Sequence, residues 1–350
     1  MHFRRPTVIA LDATYSVGRA LSGVGVYCRE ILHGLARLQP EQRYRWCYRP
    51  HRLLRGLRQP APTNVARRLL LESVGVSCSL YHGLNQRLPN WTAPRHVVTF
   101  HDLFVLTGEY STREFRERFA QQAREAAERA DLIICVSAHT ASQVEALLGV
   151  ERARLRVVWH GMEPPAGAPV PEERRENLVL HVGALQKRKN IVGLIHAFEH
   201  LDSSWRLLLA GSTGYGWEEI AARLAASPAR ERIEIAGYVD DAGLQAAYRR
   251  ARILAFPSFD EGFGIPVLEA MGHGLPVLTS NGSALAEVAG DAAVLVDPKD
   301  AGSIAEGMRR LAADAELRRQ LSERGLARAL PFTWNAAAAR TWDVYRELLA

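Results

Sequence analysis

RILAFPSFDEGFGIPVLEAMGHGLPVLTS, residues 252–280, changes character three times in one short stretch. It begins as an apolar strand, breaks at Pro257 into a glycine loop, turns helical around Pro266 and returns to a buried strand at Leu275. A strand, loop, helix and strand in this order form one unit of an open parallel sheet. Ligands of such sheets sit beyond the carboxyl ends of the strands, where Glu261 falls. Gly262 and Gly264 suit a helix interior poorly, which keeps Glu261 on the loop. Pro266 suits the first helical position, so the spacing predicts Glu269 in the first turn. The N–H groups of that helix start, roughly residues 264 to 268, favour an anion such as a diphosphate, and a carboxylate at Glu269 suits the hydroxyls of a ribose. A plainer reading has Glu269 complementing the helix dipole and the glycines capping a strand. On this stretch alone both readings stay open.

The same alternation runs outward in both directions. TVIALDA, HVVTFHD, DLIICVS and LRVVWHG read as strands, separated by helical patterns in GVGVYCREILHGLARL, STREFRERFAQQAREAAERA and SAHTASQVEALL. MEPPAGAPVPEE then lacks any periodicity and reads as a linker, with a domain boundary near residue 170. Beyond it NLVLHVGAL, WRLLLAGS, RIEIAGYV, RILAFPS, LPVLTS and AAVLVDP alternate with helices, and further helices close the chain. The pattern is α/β, with two Rossmann-like domains of buried parallel strands.

A chain of 350 residues is long enough for two such cores. No apolar run approaches the roughly 18 residues of a spanning helix, and MHFRRPTVIALDA lacks the long apolar region of a signal peptide, so a cytoplasmic location is expected. Cys28, Cys47, Cys78 and Cys135 have no paired spacing, which points to reduced thiols and to neither a disulfide framework nor a metal cluster. Charge is divided unevenly. Residues 1–167 hold 23 Arg, no Lys and 14 acidic residues, a balance of +9, against −3 for the remainder. A basic first half attracts anionic lipid, a diphosphate-linked acceptor or nucleic acid, and the absence of nucleic-acid motifs disfavours the last. Arg52, Arg55 and Arg58 beside Leu53, Leu54 and Leu57 form a short basic amphipathic pattern suited to an anionic membrane surface. Gly56 and Pro60 limit any helix there, and a solvated loop explains the same residues.

FDEGFGIPVLEAMGHGLPVLTSNGSALAEVAGDAAVLVDP, HVGALQKRKN, VVWHGME, TFHDL and SGVGVY occur in an order that resembles the retaining glycosyltransferases of family 4 over nearly the whole chain. That resemblance implies the GT-B fold, two Rossmann-like domains facing a cleft. It implies an acceptor-binding domain at 1–168, a nucleotide-sugar-binding domain at 169–332 and a helix at 333–350 crossing back to the first. The implied activity moves a hexose from a nucleotide diphosphate sugar to a hydroxyl acceptor with retention and without a metal.

By the same resemblance Glu269 binds ribose hydroxyls and Glu261 faces the donor sugar, both as ionised acceptors, with Gly262, Phe263 and Gly264 shaping the diphosphate loop. Lys189 and Arg188 contact the diphosphate, although KRKN also reads as a polar start to a helix at Asn190. His101 contacts the donor sugar at the reaction centre, with Asp102 beside it, and Gly23 and Gly25 let backbone N–H groups approach the diphosphate or simply open a helix. Ala184 stands where one branch of the family carries an arginine, which shifts phosphate binding onto Arg188 and Lys189. The closer likeness is to bacterial mannosyltransferases of surface-polysaccharide assembly. GDP-mannose is thus the first-choice donor, with UDP- and dTDP-sugars open, and a glycan or lipid-linked saccharide on the inner face of the membrane is the expected acceptor. A nucleotide-sugar epimerase of the same architecture and a non-catalytic nucleotide-sugar-binding subunit are the alternatives.

Overall fold

A computed structural model describes residues 7–18 and 21–350; the first residues of the segment read for a leader lie outside the described residues. The chain divides into two compact units. The first comprises residues 1–107, 112–161 and 332–350, and the second comprises 108–111 and 162–331. The break thus falls at Gly161 and Met162, at the start of the segment read as a linker.

The first unit is built on a seven-stranded parallel sheet. Its strands are β1 (Val8–Asp12), β2 (Arg43–Tyr48), β3 (Val65–Leu69), β4 (Leu80–Gly83), β5 (His96–Phe100), β6 (Leu132–Cys135) and β7 (Leu155–Val157), in the order β3-β2-β1-β4-β5-β6-β7. The order reverses between β1 and β4, the arrangement of a doubly wound sheet. Three of these strands, β2, β3 and β4, are absent from the sequence reading.

The helix Gly23–Leu38 opens with Ser22 as its cap and buries Tyr27, Ile31 and Leu35 against the sheet. The C-terminal helix Trp334–Leu349 returns to this unit, and its Ala338 lies so close to Gly34 that a methyl added there would sit 2.8 Å away. A buried polar chain also holds it. Tyr345 meets His82 Nδ1 at 2.6 Å, His82 Nε2 meets Thr99 Oγ1 at 2.9 Å, and Thr99 meets the Tyr27 hydroxyl at 2.9 Å. Each of these groups is shut from water, so each bond satisfies an atom that would otherwise be stranded.

Pro50–Leu57 is a helix that opens on Pro50 and carries Gly56 in its last turn, where any side chain would collide with the Tyr48 ring. It ends before Pro60, as a helix must. Leu54 is 72% exposed and Leu57 49%, with Arg55 and Arg58 exposed beside them.

The second unit carries six parallel strands: β8 (Leu178–Val182), β9 (Arg206–Ala210), β10 (Ile233–Gly237), β11 (Ile253–Phe256), β12 (Val277–Ser280) and β13 (Val294–Val296), ordered β10-β9-β8-β11-β12-β13. Here the reversal lies between β8 and β11. Ile191, Leu194, Ile195 and Phe198 of the helix Ile191–Phe198 pack with Leu207, Leu209 and Ile253 of the strands to form its core. The segment read as a linker is irregular up to a short turn at Glu172–Arg174 and is tied into this unit, with Glu172 paired to Arg252 and to Arg318. Among the described residues no helix is long and apolar enough to cross a membrane.

Candidate active site

The chain leaves β8 and β11 at the point where the second sheet reverses, and the two loops meet there. After β8, Gly183 takes φ +139°, and its carbonyl runs so close to Gly211 that a methyl on Gly211 would lie 1.9 Å from it. Only a glycine fits at residue 211. Lys187–Lys189 form a single tight turn that ends on Asn190 in the left-handed region, φ 55°. Asn190 stays there because its Oδ1 accepts from Gly193 N–H and its Nδ2 donates to the Pro298 carbonyl at 2.8 Å. KRKN is therefore the polar start to the following helix and something more. The turn swings Arg188 and Lys189 inward until they are 7% and 8% exposed.

Glu261, 8% exposed, receives both cations. Lys189 Nζ donates to its Oε1 at 2.5 Å, and Arg188 Nη1 lies 2.7 Å from its Oε2. Arg188 also donates to the Asp260 carbonyl, and the Phe259 N–H bonds the Arg188 carbonyl at 2.9 Å, so the two loops are stitched together. Burial alone would raise the Glu261 carboxyl, but Arg188 and Lys189 outweigh it and hold the group down at about 2. The Lys189 ammonium also sits 4.6 Å from the centre of the Phe256 ring. Flat against that same ring lies His181, fully buried, with its Nδ1 donating to the Ala255 carbonyl at 3.1 Å. That bond fixes the tautomer and leaves Nε2 as an acceptor. Burial pushes His181 down to about 4, so it is neutral behind the cations.

Gly264 takes φ +109° and caps the helix Ile265–Gly272, with a methyl on it directed at Leu285. This corrects two expectations. Pro266 is the second helical residue, so Glu269 is the fifth and lies beyond the first turn. The N–H groups of Val267 and Leu268 are already bonded to the Gly264 carbonyl, and Pro266 has none, which leaves only those of Gly264 and Ile265 of the helical start to meet an anion.

Glu269 is partly exposed and accepts from the buried Tyr248 hydroxyl at 2.8 Å. Its carboxyl is pushed up to about 7 by burial, with the Tyr248 bond opposing and Asp241 adding a smaller push upward. The two acids thus differ. Glu261 is fully ionised at neutral pH, whereas Glu269 is divided between its two forms, a correction to the expectation that both are simple ionised acceptors.

In the first unit His101 follows β5 directly. A ring nitrogen facing a carbonyl must carry the proton, so its Nε2–H donates to the Leu84 carbonyl at 3.0 Å and Nδ1 is left as an acceptor. The ring stacks on His160, with centroids 5.4 Å apart, and meets the edge of Tyr27 at 4.7 Å. Burial lowers His101 to about 4, which keeps the imidazole neutral. Gly23 is the first residue of its helix, and Gly25 is buried against the Tyr15 carbonyl. The Gly25 N–H is bonded to Ser22 Oγ, so it is not open to a phosphate.

The second unit thus joins Arg188, Lys189 and Glu261 in one cluster, with Gly262, Phe263 and Gly264 on the same loop and Glu269 on the helix beyond. His101, Gly23 and Gly25 belong to the first unit. His181 and Tyr248 are absent from the sequence reading. A histidine inside an apolar strand and a tyrosine near a helix end carry no signal until the fold shows what they touch.

Residues 21–164 match the family described as Glycosyltransferase Family 4, and residues 168–328 match the one described as Glycosyl transferases group 1. The chain is 33% identical over 286 residues to O-antigen chain mannosyltransferase B of Escherichia coli, an overlap of 77% of this chain and 74% of that protein. It is similar in structure to sucrose-phosphate synthase from Thermosynechococcus elongatus, with TM-score 0.79, 21% identity and coverage of 98% and 99% of the two chains. It is also similar to HepE of Anabaena in complex with UDP and glucose, with TM-score 0.75, 15% identity and coverage of 98% and 100%. At these identities the structural likeness speaks to the fold alone. From the family matches over both halves and the relative at one-third identity, the chain belongs to the glycosyltransferases of family 4, built on the GT-B fold.

Proposed function

We propose that this glycosyltransferase moves mannose from GDP-mannose to a hydroxyl of a glycan or lipid-linked saccharide, with retention at the anomeric carbon. The cluster of Arg188, Lys189 and Glu261 at the sheet reversal carries the proposal, because it sets two cations beside a carboxylate where a sugar diphosphate needs both. The name of the mannosyltransferase relative supports the choice of sugar. Arg188 and Lys189 compensate the charge that grows on the departing diphosphate, the electrophilic role that a divalent ion plays elsewhere, so turnover is expected to survive chelation. Glu269, when ionised, accepts from the ribose hydroxyls. Neutral His101 offers Nδ1 to a hydroxyl of the donor sugar.

In the retaining step the acceptor oxygen bonds the anomeric carbon on the face from which the phosphate oxygen leaves. The acceptor's proton passes to that phosphate oxygen. Incubation with GDP-mannose and an oligosaccharide acceptor, followed by NMR of the anomeric configuration before hydrolysis or mutarotation, tests this. An α-linked product supports it, and a β-linked product overturns retention. Calorimetric titration with GDP, UDP and dTDP tests the base, and selective binding of UDP or dTDP would replace mannose as the first choice.

The helix Pro50–Leu57 supports an encounter with anionic lipid at the inner face of the membrane. Its Leu54 and Leu57 are exposed beside Arg55 and Arg58, and Arg67 of the edge strand β3 reaches the Gln59 carbonyl at its end. Flotation with phosphatidylglycerol vesicles and its loss on Leu54→Glu test that contact, and equal flotation of both proteins would refute it.

A further inference from the structure

The last torsion of a glutamate is broad, so the Glu269 carboxylate has no preferred plane of its own. Tyr248 supplies one. Its hydroxyl, shut from water, donates to Oε2 at 2.8 Å, while the Pro266 carbonyl, its other acceptor, stands off at 3.5 Å. Burial and Glu269 itself hold the phenol well above its ordinary range, so it remains a donor throughout the physiological range. The ring is fixed as firmly as the hydroxyl. It lies 5.1 Å from the His273 ring and within 21° of parallel. Arg175, 4% exposed, grips the backbone of both residues. Its Nη1 donates to the carbonyls of Tyr248 and Ala251 at 2.9 and 2.8 Å, and its Nη2 donates to the His273 carbonyl at 2.8 Å. The end of the helix Asp241–Arg250, which carries Tyr248, is thereby tied to the end of the helix that carries Glu269. A phenylalanine at residue 248 would keep the burial and the stack, so the distinct contribution of the hydroxyl is its bond to the carboxylate.

We propose that Tyr248 is a positioning residue for ribose recognition: its hydroxyl sets the plane of the Glu269 carboxylate and favours its ionised form, and Arg175 holds the two helices at the spacing that this bond needs. The inference rests on the reading of Glu269 as the ribose acceptor. The other titratable and charged groups around the carboxylate are Asp241, on the helix of Tyr248, and His273 and Arg175, behind the tyrosine ring. Burial and Asp241 disfavour the ionised form, and the Tyr248 bond opposes them. Removing the hydroxyl leaves both unopposed, so the carboxyl titrates higher still and accepts from ribose over a narrower range of pH.

The test is calorimetric titration of GDP and UDP, each beside its 2′,3′-dideoxy analogue, from pH 5 to 9. The proteins are the wild type, Tyr248→Phe, Glu269→Ala and the double variant. The ratio of the two affinities isolates the ribose hydroxyls and cancels the titration of the phosphates. In Tyr248→Phe that ribose preference is expected to fall about fivefold at pH 7, and the midpoint of its rise with pH should move up by about one pH unit. A preference and a midpoint equal to those of the wild type would reduce Tyr248 to packing and overturn the proposal. Because Tyr248 acts through Glu269, its substitution should change nothing further in the Glu269→Ala background, and additive losses in the double variant also overturn it.

A second measurement does not depend on the Tyr248 variant folding. Ionising a carboxylate that accepts from a phenol perturbs the ultraviolet absorption of the ring. The wild type should therefore show a tyrosine difference band between pH 5 and 9, with the midpoint of the ribose preference, and Glu269→Ala should lack it. A band of equal size in both proteins, or none in the wild type, overturns the proposal. The ribose reading of Glu269 fails separately, as a preference that survives Glu269→Ala, and the proposal falls with it. A preference lost in Glu269→Ala and kept in Tyr248→Phe removes the proposal alone.

Discussion

Glu269 creates a pH dependence that binding and stability should read in opposite directions. Its carboxyl ordinarily titrates at 4.5 and is pushed up to about 7 in the fold by burial, with Asp241 adding and the Tyr248 bond opposing. A raised carboxyl favours the neutral form, so the folded state carries no penalty below about 4.5, a growing one up to about 7 and a constant one above. The gap corresponds to about 3 kcal/mol, reduced to about 2 to 3 kcal/mol by the partial exposure of the side chain. Binding runs the other way. Ribose hydroxyls donate to the ionised form, so nucleotide affinity should rise by up to about tenfold per pH unit below 7 and level off above it. Glu269→Gln removes both effects and also cancels the nucleotide's own phosphate titration from the comparison. The assay is calorimetry with GDP, paired with urea denaturation, on both proteins at several pH values from 5 to 8.5. With rising pH the wild type should gain affinity and lose stability relative to the variant, and parallel curves in either assay would refute the assignment of that titration to Glu269.

Three further outcomes are expected. Lys189→Ala should lower turnover by about 100- to 1000-fold with the fold retained, and an undiminished rate would remove Lys189 from the transition state. Gly264→Ala forces a side chain into φ +109° and against Leu285, so its thermal midpoint should drop by an amount matching about 1 to 3 kcal/mol; an unchanged melt would count against strain at that cap. Tyr345→Phe removes the partner of His82 Nδ1 and should destabilise the first unit by about 1 to 3 kcal/mol, whereas an unchanged denaturation midpoint would show that the buried chain contributes nothing.

The loop after β11 was readable because its glycines, proline and acids each have a narrow set of uses. The strands β2 to β4 were not. RYRWCY alternates over only four residues, Tyr44 and Trp46 buried beside its arginines, before running on into buried Cys47 and Tyr48; VARRL is an edge strand that shows its arginines to water, and LYHG is four residues long with a histidine bonded inside the core. The pattern is short or broken in each case because position in the sheet, at its edge or inside its core, decides what each residue meets. The offset of Glu269 by one helical position has a similar cause. Gly264 in the left-handed region takes the cap and moves Pro266 to the second helical position, and a side chain in its place would meet Leu285. The residue types of the cation cluster were legible, but their pairing was not, since Lys189 and Glu261 are 72 positions apart and meet only through the reversal of the sheet.

The return of Trp334–Leu349 to the first unit has a consequence for how the protein is made. Tyr27, Ile31 and Leu35 are buried together with Trp334, Ala337, Val344 and Tyr345, yet about 170 residues of the second unit separate the two groups in the chain. At about 5 to 20 residues per second a ribosome takes on the order of 10 to 30 s to cross that span. Throughout it the first unit waits with an apolar groove open and His82 missing its tyrosine. The second unit, contiguous apart from residues 108–111, is complete at Pro331, ahead of the helix that completes the first. Synthesis therefore completes the second unit before the unit that was begun first, and the open groove is the surface a nascent-chain chaperone would have to cover.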